Sequence, residues 1–303
     1  MTEMKKLKKP KTSLRDNVAN VVLLAPFVIL FFTFTVLPIL SSMALSFFNF
    51  DMINSPTFAG FENYRRMFVA DKSFLPILKN TLILAAITGP LGFLLSFVLA
   101  WFINEFSPMV RTVLSFLFYA PSLVGNAYFI WQVAFSNDSY GYVNSLLLSI
   151  GAIAEPIAWL KDATYVMPIV IIVQLWQGMG VSFLANISGL QNINEEMFEA
   201  GAIDGIHNRW QELWYITLPS MKHMLLFSAV MQIASAFSIG AIPKVLAGYP
   251  SVNQSVDTIV SYLGDVGTVK YELGYASAIS VILFAMMFLT RTLISKLLNK
   301  TGK

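Results

Sequence analysis

Cysteine is absent from these 303 residues, so no disulfide framework, thiol nucleophile or cysteine-based metal site is available. Histidine is limited to His207 and His223, and a zinc site is not expected. Charge is also scarce. Only 12% of residues are charged and 56% are hydrophobic, where a soluble domain carries about 25% charged residues. Mean hydropathy is +0.66. Together these place the chain among polytopic, all-α membrane proteins. The net charge is +3. The basic residues sit mostly at the ends of apolar runs, which is a membrane-orientation pattern and not a nucleic-acid patch. A G-x-x-x-x-G-K-[ST] phosphate loop is missing. The sole Gly-Lys pair is Gly302-Lys303, so the chain does not hold ATP and Mg by that device. No Ser/His/Asp set or metal cluster supports a membrane enzyme, and no catalytic residue is assigned.

What is present is a series of long apolar runs. Residues 1–17 are basic, with Lys5, Lys6, Lys8, Lys9, Lys11 and Arg15, and read as a cytoplasmic tail. The apolar run from Val18 to about Phe48 far exceeds the roughly 7–15 residue core of a signal peptide. It is long enough to span, since a transmembrane helix needs about 20 apolar residues. Five further spans are expected at Asn80–Ile103, Thr112–Phe135, Tyr165–Leu190, Met224–Leu246 and Leu273–Leu293. The membrane domain then covers 18–295, and 296–303 form a second short tail. The stretch Leu146–Trp159 is apolar but short, and reads as an interfacial or re-entrant segment. With the first tail inside, inner segments exceed outer ones in Lys and Arg by nearly two to one. Both termini are therefore expected in the cytoplasm.

The span interiors hold almost no acids or bases, which counts against a proton- or sodium-coupled carrier. They do hold amides and hydroxyls: Asn126, Gln132, Gln174, Gln177, Asn186, Gln232, Ser235 and Ser238. Gln174, Gln177 and Val181 share one helix face, and Gln232 and Ser235 share another. Such groups serve either as hydrogen bonds between helices or as the lining of a water-filled path for a neutral polar solute.

Between the fourth and fifth spans lies "EEMFEAGAIDG", Glu195–Gly205. Asn194 is a candidate N-cap, Glu195, Glu196 and Glu199 suit the helix dipole, and Gly205 is a candidate stop. A helix of about ten residues, roughly 15 Å long, is too short to span and too short to persist alone in water. It must pack on something. Ala200, Gly201, Ala202 and Gly205 permit close approach. A lipid surface is one reading, but interfacial helices favour Lys and Arg. This acidic segment is better matched to a protein partner. Beyond it, Trp210, Leu213 and Trp214 form an amphipathic turn that Pro219 ends.

The stretch "GLQNINEEMFEAGAIDGIHNRWQELWYITLP", Gly189–Pro219, resembles the EAA loop of ABC-importer channel subunits. Glu199, Ala200, Gly205, Ile216, Leu218 and Pro219 match that pattern. Asp204 and Trp210-Gln211 look like its carbohydrate branch. Gly201 stands where the family has Ala, at a helix-propensity cost of about 1 kcal/mol at most. Leu37–Asp51, Phe58–Phe68, Lys79–Ala85 and Tyr271–Phe284 also look like sugar permeases. The nearest class includes the larger maltose-importer channel subunit and the glycerol-phosphate and multiple-sugar permeases. Gly248-Tyr249-Pro250 departs from the family's Gly-Gly-Pro.

The resemblance implies the type I ABC-importer channel-subunit fold, with six transmembrane helices and a cytoplasmic coupling helix seated in an ATPase cleft. It implies a second homologous permease, an ATPase dimer that binds ATP and Mg, an extracellular solute-binding protein and a carbohydrate substrate. The family's span-four motif appears as Gln174-Leu175-Trp176-Gln177-Gly178, and its sugar-facing turn in span five corresponds to Gln232, Ser235 and Ala236. Cationic groups are missing from the spans, so a neutral saccharide is favoured over a phosphorylated one. A self-sufficient secondary carrier is the alternative, and no inverted repeat is visible to support it.

Overall fold

The computed structural model describes residues 14–301, with side chains over 21–296. The basic cluster of the first tail lies largely outside the described residues. Helix α1 (Leu14–Phe31) passes through one π-helical turn (Phe32–Val36) into α2 (Leu37–Leu45). Its apolar side chains are exposed along 21–40, until α2 meets the body of the chain. A two-residue hairpin, Phe48–Asn49 with Thr57–Phe58, follows.

Helix α3 (Phe74–Asn104) is the central element. Its 31 residues span about 46 Å, well beyond the roughly 30 Å hydrocarbon core. The span expected at 80–103 lies within it, and the helix begins six residues earlier. Helix α4 (Pro108–Leu123) comes next, then a break, then α5 (Phe129–Ala134). The expected continuous span at Thr112–Phe135 is thus divided. Val124 is extended (φ −89°, ψ 99°), and Gly125-Asn126 supplies the turn chemistry. The Tyr128 hydroxyl donates to Asn126 Oδ1 at 2.9 Å and pins the break.

The segment around α6 (Tyr142–Ser149) is a short excursion held by one amide. Asn144 is fully buried. Its Nδ2 donates to the carbonyls of Ser136, Asp138 and Ile157, and its Oδ1 accepts from Ile157 N and Trp159 Nε1. Five hydrogen-bond contacts at one buried amide hold this apolar stretch in a short local fold.

Helices α7 (Ala163–Gly178) and α8 (Gly180–Gln191) meet at Met179 with a 44° bend. A Cβ on Gly180 would lie 2.7 Å from Ser122, so the glycine lets α8 and α4 touch at the bend. Helix α9 (Glu195–Ile203) precedes the turn at Arg209–Thr217, then α10 (Lys222–Phe237) and α11 (Ala241–Ala247). Helix α12 (Ile259–Gly264) leads to α13 (Leu273–Thr301), which runs past the expected end of the last span. Among the described residues, four helical segments are long and apolar enough to cross a membrane: 21–45, 74–104, 222–247 and 273–296. Counted as one broken span, the bent pair α7–α8 makes a fifth.

Polar contacts stitch α3, α8 and α10 together. Ser182 Oγ donates to Ser228 O (3.1 Å), and Asn186 Nδ2 donates to Ser96 Oγ (3.3 Å). At the end of the bundle where α3 begins, Asp71 accepts from the hydroxyls of Tyr262 and Tyr275 and from Ser73 N. Partial burial would raise the Asp71 carboxyl. The tyrosine hydroxyls and backbone donors outweigh it and hold the group below the usual carboxylate range. Arg66 pairs with Glu272 (2.7 Å) and lies over the Tyr275 ring. Tyr249, at the departure from Gly-Gly-Pro, turns inward onto the apolar cluster around Ile259 and Ile279.

Candidate functional site

Two places carry the chemistry. The first is a polar basin of about 270 Å³ between the bend at Met179 and the break at Val124. Gln174, Gln177 and Gly178 of α7 line it with Ser235 of α10. Gln174 Nε2 donates to Ser235 Oγ at 3.4 Å. Gly178 makes this contact possible, because a Cβ there would stand 3.1 Å from Gln174 Nε2 and 3.2 Å from Ser235 Oγ. Gln177 Oε1 is buried and has no hydrogen-bond partner. Leaving a buried amide oxygen unpaired is costly, and Gln177 itself lines the basin. No charged side chain lines the basin. Irregular backbone at membrane depth is tolerated where it lines a cavity, and the break at Val124–Tyr128 does so through Gly125 and Tyr128.

Two residues read from the sequence as part of this path lie elsewhere. Gln232 is 2% exposed and faces α3. Its Oε1 accepts from Ser182 Oγ (3.2 Å) and its Nε2 donates to Thr88 O (3.3 Å). Its amide is spent between helices. The partner that permits this is Gly92, where a Cβ would fall 2.0 Å from Gln232 Nε2. Ala236 faces a larger, apolar groove of about 470 Å³ lined by Leu82, Gly89, Phe93 and Ile294. Val181, placed by spacing beside Gln174 and Gln177, is carried off by the bend and is exposed. Trp176 packs edge-to-face on Trp131, with ring centroids 5.6 Å apart. Ser238, among the span hydroxyls read from the sequence, lines the basin as well, and Ser122 joins it unanticipated.

The second place is α9. Asn194 caps it, with Oδ1 accepting from Glu196 N at 3.2 Å. Gly205 closes it at φ +93°, a conformation that favours glycine. Glu195, Glu196, Glu199, Ala200, Ala202 and Asp204 are exposed, and Ile203 is 87% exposed. Gly201 is the buried residue of this helix. A Cβ there would lie 2.6 Å from Ile216 Cδ1 and 3.2 Å from Ile206 Cδ1. Its small size therefore serves packing on this chain's own loop, and the outer surface is built by Ala200 and Ala202. Leu213, Ile216 and Thr217 anchor the loop beneath, while Trp210 and Trp214 stay exposed.

A bundle of long apolar helices, broken beside a polar basin and carrying a short acidic helix on the loop between α8 and α10, is the architecture of a membrane transport subunit. Residues 90–301 match the family described as the binding-protein-dependent transport system inner membrane component, and the chain belongs to that family. It is 31% identical to the probable ABC transporter permease protein YesP of Bacillus subtilis (strain 168), over 96% of this chain and 93% of that one. It is 28% identical to the arabinooligosaccharides transport system permease protein AraP of the same organism, over 90% and 86%. The fold matches a chain of a bacterial ABC transporter involved in the import of the acidic polysaccharide alginate. That match has a TM-score of 0.77 and 23% identity, covering 95% of this chain and 97% of that one.

Proposed function

We propose that this chain is a channel subunit of an ATP-driven importer that moves a neutral oligosaccharide across the cytoplasmic membrane. The observation that carries the solute class is the uncharged basin lined by the amides of Gln174 and Gln177 and the hydroxyls of Ser122, Ser235 and Ser238. Amides and hydroxyls recognise saccharide hydroxyls, and the lack of cations disfavours phosphorylated or acidic substrates. Relatives named for arabinooligosaccharides and galactooligosaccharides are consistent with this. At about 270 Å³ the basin is smaller than a typical ligand pocket of roughly 300–1,000 Å³. That size suits half a site, completed by a second homologous permease. We count α4 and α5 together as a broken span, which gives six spans with both termini cytoplasmic.

In this reading α9 docks in a cleft of an ATPase dimer, which binds ATP and Mg. The acidic rim and the exposed Ile203 fit a protein surface better than anionic lipid. Closure of the ATPases on ATP pulls the loop and rocks the helices about the basin, a rigid-body form of alternating access. An extracellular binding protein delivers the saccharide. The test is saccharide uptake by the reconstituted four-part transporter. Uptake should require ATP and should be lost in Glu199→Lys while the complex still inserts.

A further inference from the structure

Residues 209 and 210 reach from the loop to a helix a hundred positions away. Arg209 Nη2 bonds Glu105 Oε2 at 2.6 Å, and its Nη1 bonds Glu212 Oε2 at 2.8 Å. Glu105 is the C-cap residue of α3. One turn earlier, Trp101 packs at a tilt against Trp210 with ring centroids 5.5 Å apart. Both ends of this grip are fixed locally. Asn208 Oδ1 accepts from Gln211 N (2.8 Å) and Gln211 Oε1 accepts from His207 N (3.0 Å), which sets the backbone that carries Arg209. On the other side, Arg111 Nη2 donates to Asn104 O (2.7 Å) and Phe106 O (3.2 Å), which closes the end of α3.

The loop is joined by the chain to α8 and α10, so force on it reaches those helices through covalent bonds. Nothing in the chain order joins it to α3, and its links there are the buried cluster that Leu213 shares with Phe97, Ala100 and Ile103 and the polar grip of Arg209. Yet α3 is the helix that holds Thr88 against Gln232 and Ser96 against Asn186. We propose that Arg209 and Glu105 form a positioning strut that makes α3 move with the coupling loop. An exposed ion pair contributes little to stability, so its place in the fold points to a mechanical role. The role rests on the reading that an ATPase moves this loop.

Two readouts test it on the assembled transporter with its second permease, ATPase and binding protein. The first is saccharide imported per ATP hydrolysed in proteoliposomes. Glu105→Gln should lower this ratio about threefold or more and keep hydrolysis within about twofold of wild type. Glu105→Asp should restore most of it. A residue that only stabilises the fold would lower the amount of complex and leave the ratio unchanged, and an unchanged ratio overturns the proposal. Where Glu105→Gln assembles poorly, Glu105→Lys with Arg209→Glu and Glu212→Gln re-forms the pair with signs exchanged. Failure of that assembled variant to recover the ratio also overturns it. The second readout needs no saccharide. The chain has no cysteine, so spin labels at Phe102→Cys and His207→Cys report the distance between α3 and the loop. The distance should hold on ATP trapping in the otherwise unaltered chain and shift in Glu105→Gln. Equal behaviour in both refutes the strut, whatever the transported solute proves to be.

Discussion

Replacing Gly92 by alanine places a methyl group where the Gln232 amide now lies. The new Cβ would be 2.0 Å from Nε2 and 2.8 Å from Cδ. The amide is the far end of a side chain and can swing away. Doing so surrenders its bonds to Thr88 O and Ser182 Oγ. Such bonds within a membrane bundle average about 0.6 kcal/mol each and reach about 1.7. Overpacking in a tight interior costs about 1–3 kcal/mol. Alanine returns at most about 1 kcal/mol through helix propensity. The net loss should be about 1–4 kcal/mol. In a Gln232→Ala background the obstruction is gone, and Gly92→Ala should be neutral or stabilising by up to about 1 kcal/mol. The assay is a double-mutant cycle on unfolding of the purified protein in detergent. The reasoning is refuted if Gly92→Ala costs the same in both backgrounds.

Gly201→Leu should displace α9 from Ile216 and Ile206, so that ATPase co-purification falls at least several-fold, while Gly201→Ala, which meets only a terminal methyl at 2.6 Å, should retain most of it; pull-down of the ATPase reads both. Gln177→Leu should raise the saccharide concentration needed for half-maximal uptake by about tenfold, the cost of about one good hydrogen bond to a shielded acceptor, with ATP hydrolysis preserved; an unchanged concentration dependence in vesicles would remove Gln177 from the path.

Local rules carried furthest from the sequence. Asn194 as cap and Gly205 as stop follow from side-chain chemistry at single positions, and the structure shows both. The short apolar stretch near Leu146 was legible as a non-span by its length, although the Asn144 hub was not. What could not be read depends on which neighbour a face meets. Residues three apart on a helix point about 60° apart. That is enough to send Ser235 into the basin while Gln232 turns to α3. Gly201 sits among outward-looking small residues, and only the return of the chain at Ile216 reveals that it faces inward. The break at Val124 was masked by the high overall apolarity of the run at 112–135. Gly125-Asn126 inside that run was the available signal, because this pair brings turn chemistry into a span.

The central claim is that ATP hydrolysed by a partner, acting through α9, drives a saccharide past the basin. The measurement is neutral-oligosaccharide uptake into proteoliposomes holding this chain with its second permease, ATPase and binding protein, with ATP enclosed. The account predicts uptake that depends on ATP, is indifferent to proton or sodium gradients, and vanishes in Glu199→Lys with the complex intact. Uptake by this chain alone on an ion gradient, or normal uptake by Glu199→Lys, would contradict it.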